Sequence, residues 1–168
     1  MAAKILTICA AGLLVIGCSK EKPRDRSAES VQQIRQLFDT WAKAFEAKNV
    51  DGVMTIYAPS VTAYDIVPPL QFRGADAYRK DYSEFFGQFS GPLHVEAPNM
   101  QIEVSGDTAF AYGLERLTGK TTSGAAVDMW LRYTEGLKRI DGQWRVVHEH
   151  ISVPVDMAAG KARMDLKP

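Results

Sequence analysis

The sequence contains little cysteine, and none of it lies in the part of the chain that is expected to fold. Its 168 residues include two cysteines, Cys9 and Cys18. No disulfide can therefore link elements of the folded domain, so the hydrophobic core alone must hold that domain together. A catalytic cysteine within the domain is excluded for the same reason.

An excess of charge is also absent. Lys and Arg total 20, Asp and Glu total 20, and the formal net charge is zero. A neutral chain without a basic stripe has no electrostatic reason to bind nucleic acid or acidic lipid, so we expect no nucleic-acid partner. The sequence also contains no glycine-rich phosphate loop, no nucleophile elbow, no internal repeat and no low-complexity segment.

Residues 1–17 have the pattern of an export signal. Lys4 supplies a short positive start, and the apolar run Ile5–Ile16 is too short for a stable membrane span. The small Gly17 before Cys18 resembles a bacterial lipobox. That resemblance implies cleavage before Cys18 and lipidation of Cys18. An uncleaved anchor and an ordinary secretory signal are the alternatives.

The residues after the lipobox predict where the protein resides and how the chain is divided. Ser19, rather than Asp, follows the cysteine, which favours a lipid-anchored position at the periplasmic face of the outer membrane. Residues 18–29 are polar, charged and broken by Pro23, and they predict a flexible tether. One domain over residues 30–155 and a C-terminal tail over residues 156–168 are expected to follow.

The pattern within the domain predicts an α+β fold. Apolar residues at spacings of three and four predict a helix from Ser30, a shorter helix after Asn49 and a third helix from Ala75. One short strand lies among these helices. The first strand of the later meander is expected over residues 93–104, bent at Pro98. Three helices followed by a four-strand meander indicate a cone-shaped α+β barrel, in which a curved antiparallel sheet wraps three N-terminal helices.

The last predicted hairpin, Val127–Val153, carries chemically able side chains on both faces around a two-residue Asp141–Gly142 turn. Side chains alternate along a strand, so His148 and His150 share one face. A single β-bulge would exchange the partners across the hairpin, and the sequence leaves both arrangements open. A regular hairpin would group His148 and His150 with Tyr133 and Glu135, and Glu149 and Ile151 with Trp130 and Arg132.

Both faces of this hairpin therefore supply candidate site residues. Either His148 or His150 could act as a general acid or base steered by a carboxylate, or could be satisfied within the sheet or at a subunit interface. Trp130 and Arg132 suit an anionic or planar ligand, unless Arg132 pairs with Glu149 across the strands. The histidines do not form the H-E-x-x-H motif, and no third ligand is marked by spacing, so no metal site is expected.

Five segments carry a family resemblance: Trp41–Phe45, Asn49–Val53, Tyr57–Pro59, the strand that ends at Asp65, and Arg139–His148. They are similar to the opening and the final hairpin of the nuclear transport factor 2-like superfamily. The pattern is most similar to its SnoaL-like group, often called ketosteroid isomerase homologues, and it covers about residues 31–155. The resemblance implies the cone-shaped fold, chemistry without a cofactor, and dimerisation through the open face of the sheet.

The resemblance also implies roles for single residues. Asp65 matches the general base of ketosteroid isomerase, and Trp41 matches its oxyanion-hole tyrosine, while the second oxyanion donor has no counterpart. The alternative for Asp65 is that it caps the loop at Pro68–Pro69. Separately from the resemblance, Tyr57 lies on an expected core face and is a candidate to reach the cavity with its hydroxyl.

These observations favour an envelope-anchored pocket protein that binds a small, partly apolar carbonyl or carboxylate compound. A non-catalytic binding or assembly module is favoured slightly. The alternative is a cofactor-free isomerase, dehydratase or cyclase with Asp65 as its base. In that alternative His148 or His150 is the partner of the base and Arg132 holds the substrate. A homodimer and a membrane contact through Cys18 are the expected associations.

Overall fold

The computed structural model describes residues 27–168, so the expected signal segment and the Cys18 anchor lie outside the described residues. The helices in this range are α1 (Ser27–Glu46), α2 (Val50–Met54) and α3 (Ala75–Gly87). The strands are β1 (Tyr57–Tyr64), β2 (Phe72–Arg73), β3 (His94–Glu96), β4 (Gln101–Ser105), β5 (Thr108–Lys120), β6 (Ala126–Ile140), β7 (Gln143–Ser152), β8 (Val155–Asp156) and β9 (Lys161–Ala162). No helix between residues 27 and 168 combines the length and apolar character needed to cross a membrane.

The helices form where the apolar spacing predicts them. Helix α1 buries Ile34, Phe38 and Phe45 on one face, as the spacings of three and four require. Helix α2 is capped by Asn49, whose Oδ1 accepts a hydrogen bond of 3.0 Å from the backbone N–H of Gly52. The three helices pack their apolar faces against the concave side of one curved sheet, and this arrangement confirms the predicted cone-shaped α+β fold.

The main sheet is mixed rather than wholly antiparallel, which corrects one detail of the prediction. Its strand order is β2-β1-β7-β6-β5-β3, and β4 also pairs with β5. Strand β1 pairs in parallel with β7, with Thr62 opposite His148 and Tyr64 opposite His150. Parallel pairing is possible because a long connection, containing α3 and the meander, separates these two strands along the chain.

Pro98 divides what was expected to be one strand over residues 93–104. Strand β3 pairs with β5 near Leu117, and β4 pairs with the same strand near Ala111. Proline lacks the N–H that a continuous ladder would need, so the chain leaves the sheet at this point and rejoins it farther along the same edge.

A β-bulge in the final hairpin decides which side chains face the helices. The Asp141–Gly142 turn forms as predicted, with Ile140 opposite Gln143 and both turn residues at positive φ. Farther from the turn the register shifts, because Leu137 lies opposite Val146 whereas Gly136 lies opposite His148. The extra residue turns Glu149 and Ile151 towards the concave face, beside Tyr133 and Glu135. Of the two arrangements that the sequence left open, the structure has the one with a bulge.

The last residues form a short hairpin where a tail of uncertain order was expected. Strand β8 pairs with β9 through Val155 opposite Ala162. The Lys167 ammonium then contacts the Asp128 carboxylate at 2.9 Å, which ties the end of the chain to β6. Met164 lies between these two contacts along the chain and reaches the space beneath the sheet.

Candidate functional site

A cavity of about 620 Å³ lies between the concave face of the sheet and helices α1 and α3. Its volume falls within the usual range of small-molecule sites, which is about 300–1,000 Å³. Much of the wall is apolar and aromatic. Helices α1 and α3 contribute Trp41, Phe45 and Phe85 to the lining, Phe89 follows α3, and β6 contributes Val127, Met129 and Leu131.

Every charged side chain that lines the cavity is acidic. Among residues 27–168, no Lys, Arg or His contributes to the lining. A carboxylate that leaves water without a positive partner is costly, so such groups retain their protons or find hydrogen-bond donors. The acidic lining residues are Asp39, Asp65, Asp81, Glu84, Glu96, Glu115, Glu135 and Glu149.

The deepest acids are Glu135 and Glu149, which lie directly opposite each other on β6 and β7. Their exposed fractions are 5% and 3%. Burial raises the pKa of both carboxyls, and the neighbouring Glu149 raises the pKa of Glu135 further. Since two adjacent buried carboxyls do not both ionise, the pair holds a proton on Glu135, which donates a hydrogen bond to Glu149.

Two tyrosines hold the Glu149 carboxyl in place. The Tyr57 hydroxyl donates to Glu149 Oε2 at 2.6 Å, and the Tyr78 hydroxyl donates to Glu149 Oε1. A third tyrosine, Tyr82, shares a hydrogen bond of 2.7 Å with the Tyr57 hydroxyl. These hydrogen bonds oppose the effect of burial on the pKa of Glu149, and they fix the orientation of its carboxyl in a fully packed setting.

Asp65 follows the last residue of β1 and also lines the cavity. Its Oδ1 accepts a hydrogen bond of 2.5 Å from the Ile66 N–H, and its Oδ2 has a long contact of 3.4 Å with the Tyr78 hydroxyl. Burial raises the pKa of Asp65, and these hydrogen bonds partly offset the rise. Asp65 therefore faces the cavity, as a candidate base would, and also accepts a hydrogen bond from its own loop, as a capping residue would.

Two further acids, Glu115 and Asp81, extend the cluster along the cavity lining. Burial, followed by the charges of Glu149 and Asp65, raises the pKa of Glu115 to about 8. Burial, followed by the charges of Asp65 and other nearby acids, raises the pKa of Asp81 to about 7. At neutral pH the cavity therefore contains several protonated carboxyl groups.

Three buried polar atoms on the cavity lining have no hydrogen-bond partner in the part of the chain that the structure describes. They are the Trp41 Nε1, the Tyr133 hydroxyl and the Glu135 Oε2. Buried polar atoms are normally satisfied, so each unsatisfied atom needs an explanation. A bound molecule with its own donors and acceptors would supply the missing partners.

The bulge places four of the predicted site residues outside this cavity. His148 and His150 lie on the outer face of the sheet, where the His148 Nδ1 lies 2.9 Å from the Thr62 carbonyl oxygen. Trp130 and Arg132 occupy alternate outward positions of β6. The expectation that a histidine is the partner of Asp65 and that Arg132 holds the ligand is corrected, because none of these side chains lines the cavity.

Two of the other predicted residues do reach the site. Trp41 lines the cavity, and Tyr57 contacts it indirectly through Glu149. From the sequence, Glu135 and Glu149 are expected only as possible neighbours of other residues and not as site residues. The isolated glycine Gly136 inside a strand hints at the bulge that turns Glu149 towards Glu135.

Comparison with known proteins agrees with this architecture. The family model of the SnoaL-like domain matches residues 34–156. The chain belongs to the SnoaL-like domain family. No protein of the curated set matches the sequence significantly.

Solved structures add the same fold with different descriptions. An NTF2-like protein of unknown function from Pseudomonas putida KT2440 is 35% identical, with a TM-score of 0.78 over 84% of this chain and 99% of that one. A domain from Xanthomonas campestris, provisionally described as a calcium/calmodulin dependent protein kinase II association domain, is 21% identical, with a TM-score of 0.65 over 86% of this chain and 93% of that one. A protein from Novosphingobium aromaticivorans DSM 12444, provisionally described as a scytalone dehydratase, is 14% identical, with a TM-score of 0.69 over 76% of this chain and 86% of that one.

The solved structures support the fold and do not define the activity of this SnoaL-like chain, because their descriptions range from assembly to catalysis.

The acidic SnoaL-like cavity predicts that stability falls as pH rises. The folded pKa of Glu115 is about 8, against an ordinary value of 4.5, so between these pH values the unfolded chain has lost a proton that the folded chain still holds. The folded state then loses stability with rising pH across that window. We expect Glu115→Gln to raise the unfolding free energy above the window, by less than the roughly 5 kcal/mol to which the full pKa shift corresponds because Glu115 stays in partial contact with solvent, and to change it little below the window.

Urea unfolding at about pH 5 and about pH 9 measures this difference. The matched control is Glu103→Gln, on the exposed side of β4, which should give the same pH dependence as the unaltered protein. Parallel curves for Glu115→Gln and the unaltered protein would contradict the assignment of a half-buried, protonated Glu115.

Proposed function

We propose that the domain binds a small, largely apolar organic molecule in the cavity between the sheet and helices α1 and α3. The observation that carries this proposal is a cavity of about 620 Å³ whose lining includes three buried polar atoms without partners. Such a cavity combines an apolar volume with a few groups that orient a ligand. The acidic lining favours a neutral or cationic ligand over a carboxylate, which would meet like charge.

Binding without catalysis is favoured over catalysis. Proton abstraction needs a free base, but the Asp65 Oδ1 already accepts a hydrogen bond from the Ile66 N–H. The two histidines that could have assisted it lie on the other face of the sheet. A rigid, pre-formed and partly unsatisfied cavity is sufficient for a receptor or carrier role.

Filling the cavity tests the binding proposal. Met129 lines the cavity near the start of β6, so Met129→Trp places an indole in the ligand volume. We expect N-phenyl-1-naphthylamine, a fluorescent apolar probe that is uncharged at neutral pH, to bind the unaltered protein and to bind this variant at least about tenfold more weakly.

Fluorescence titration measures the affinity, and circular dichroism verifies that the variant remains folded. Thr134→Ala, at an exposed outward position of the same strand, is the control and should bind the probe normally. Equal affinity in Met129→Trp and the unaltered protein would show that the probe site is elsewhere.

A cofactor-free isomerase, dehydratase or cyclase is the second candidate. The burial-raised pKa of Asp65 and the unpartnered Tyr133 hydroxyl support it, since a base and a donor are what enolisation needs. The fold of the protein described as a scytalone dehydratase is a further, weaker support.

Exchange of the α-protons of 2-tetralone in D₂O, followed by NMR, separates the two candidates. Catalysis predicts exchange well above the buffer rate, and its loss in Asp65→Asn with an unchanged melting temperature, because the Asn Oδ1 can still accept from the Ile66 N–H. Binding without catalysis predicts the buffer rate for both proteins.

We also propose that the protein forms a homodimer through the outer face of the sheet. Exposed Phe110 and Tyr112 stack on each other on β5, with ring centroids 5.5 Å apart. On the same face of the sheet, Tyr64 of β1 packs against His150 of β7. Exposed aromatic groups on a chain with no net charge favour association of two copies. Sedimentation velocity would show a monomer if this proposal is wrong.

An anchor in the cell envelope is the remaining part of the proposal. It is supported by the lipobox-like Gly17-Cys18 pair and by the polar residues that follow it. Metabolic labelling with an alkyne fatty acid should mark the protein in a Gram-negative host and should not mark Cys18→Ser. Labelling of both proteins, or of neither, would count against the anchor.

A further inference from the structure

The acids deepest in the cavity have no positive partner within the described part of the chain. Two acids of the lining do have one: Glu84 lies 3.7 Å from the Lys80 ammonium, and Glu96 lies 3.3 Å from the Arg116 guanidinium. No comparable ion pair is formed, among residues 27–168, by the acids that lie farther in. These are Asp65, Asp81, Glu115, Glu135 and Glu149.

A second observation indicates what the cavity is missing. Glu135 Oε2 and the Tyr133 hydroxyl belong to side chains that are each only 5% exposed, both line the cavity, and neither has a hydrogen-bond partner in residues 27–168. A carboxyl oxygen without a partner calls for a donor, and a tyrosine oxygen can accept a hydrogen bond as well as give one. A ligand that donates several hydrogen bonds from one atom would satisfy both.

We propose that the cavity selects an organic cation, namely a protonated primary or secondary amine carried on an apolar or aromatic body. This inference rests on the proposed function of the cavity as a ligand site. The ammonium lies against Glu135 and Tyr133, where its N–H groups reach the two unpartnered oxygens. The apolar body lies against the aromatic wall formed by Trp41, Phe45 and Phe85, whose ring faces also attract a cation.

A metal ion fits this cavity less well than an amine does. No group of three or more His, Cys, Asp or Glu residues in the range 27–168 is arranged to hold a metal. A hard cation such as calcium needs six to eight oxygen ligands at short distance, whereas most of this lining is apolar. The separation between an acidic floor and an aromatic wall matches a molecule with one charged end.

Binding of a cation couples to the protons that the carboxyl groups of the cavity retain. Burial raises the pKa of Glu135, and the charges of Glu149 and Glu115 raise it further. A cation beside these groups favours their charged forms, so binding releases protons, and affinity increases with pH up to the pKa of the amine itself. The groups that interact electrostatically with Glu135 are Tyr57 on β1, Tyr82 on α3, Glu115 on β5, Tyr133 on β6 and Glu149 on β7, and Arg35 on α1 in turn interacts with Tyr133.

A series of three probes with one ring system tests the inference on the folded protein. The probes are 1-naphthylmethylamine, 1-naphthalenemethanol and 1-naphthaleneacetate, measured by isothermal titration calorimetry at neutral pH. We expect the amine to bind at least about tenfold more tightly than the alcohol, and the anion to bind more weakly than either. Repeating the titration in buffers with different ionisation enthalpies should show proton release with the amine alone.

Two variants locate the charge that is recognised. Glu135→Gln should weaken binding of the amine by about tenfold and change binding of the alcohol by less than about twofold. Tyr133→Phe removes a hydroxyl that has no partner in the described residues, so it should fold normally and should also weaken the amine selectively. Glu103→Gln, on an exposed position of β4, is the control and should leave the affinity for all three probes unchanged.

The outcomes separate this inference from the function on which it rests. If the alcohol binds as tightly as the amine, or if both cavity variants weaken the two probes equally, the selection of a cation is refuted while an apolar ligand site remains. If none of the three probes binds, the inference and the proposed function both fail.

Discussion

The register of one strand pair determines the chemistry of this protein. Between Gly136 and Leu137 the pairing of β6 with β7 shifts by one residue. Every side chain beyond the shift changes face, because successive residues of a strand point to opposite sides. The shift brings Glu149 opposite Glu135 inside the cone and turns His148 and His150 outwards. An otherwise identical fold without the bulge would point His148 and His150 into the cone and Glu149 to the outer face.

Burying this acid pair works against stability, which is a reason to look for its role in function. Replacing a buried ionic group by an apolar one of similar size is often neutral or stabilising. The cluster nevertheless keeps Glu149 fixed by Tyr57 and Tyr78, and leaves a Glu135 oxygen and the Tyr133 hydroxyl without partners. Binding sites typically contain such groups, namely buried polar groups that do not stabilise the core but are held in place by their neighbours.

Much of the fold follows from local signals in the sequence. The apolar stripe of α1, the Asn49 cap and the Asp141–Gly142 turn each depend on a few neighbouring residues, and each forms as expected. The parallel pairing of β1 with β7 could not be read in this way, since it joins strands that are more than eighty residues apart. Asp65 was found through a family resemblance, whereas the acid pair depends on a register that Gly136 only hints at.

Family membership and site chemistry therefore have separate physical origins. The curved sheet and three helices enclose a hollow interior in this chain, and solved proteins of the same fold carry different descriptions. Which ligand enters depends on the few inward positions that carry polar groups. Here those positions hold acids and tyrosines, and no basic residue from the range 27–168 lines the cavity. The acids that would attract a hydrogen-bond donor would therefore repel an anion. The absence of positive charge in the lining is thus as informative about specificity as the acids themselves.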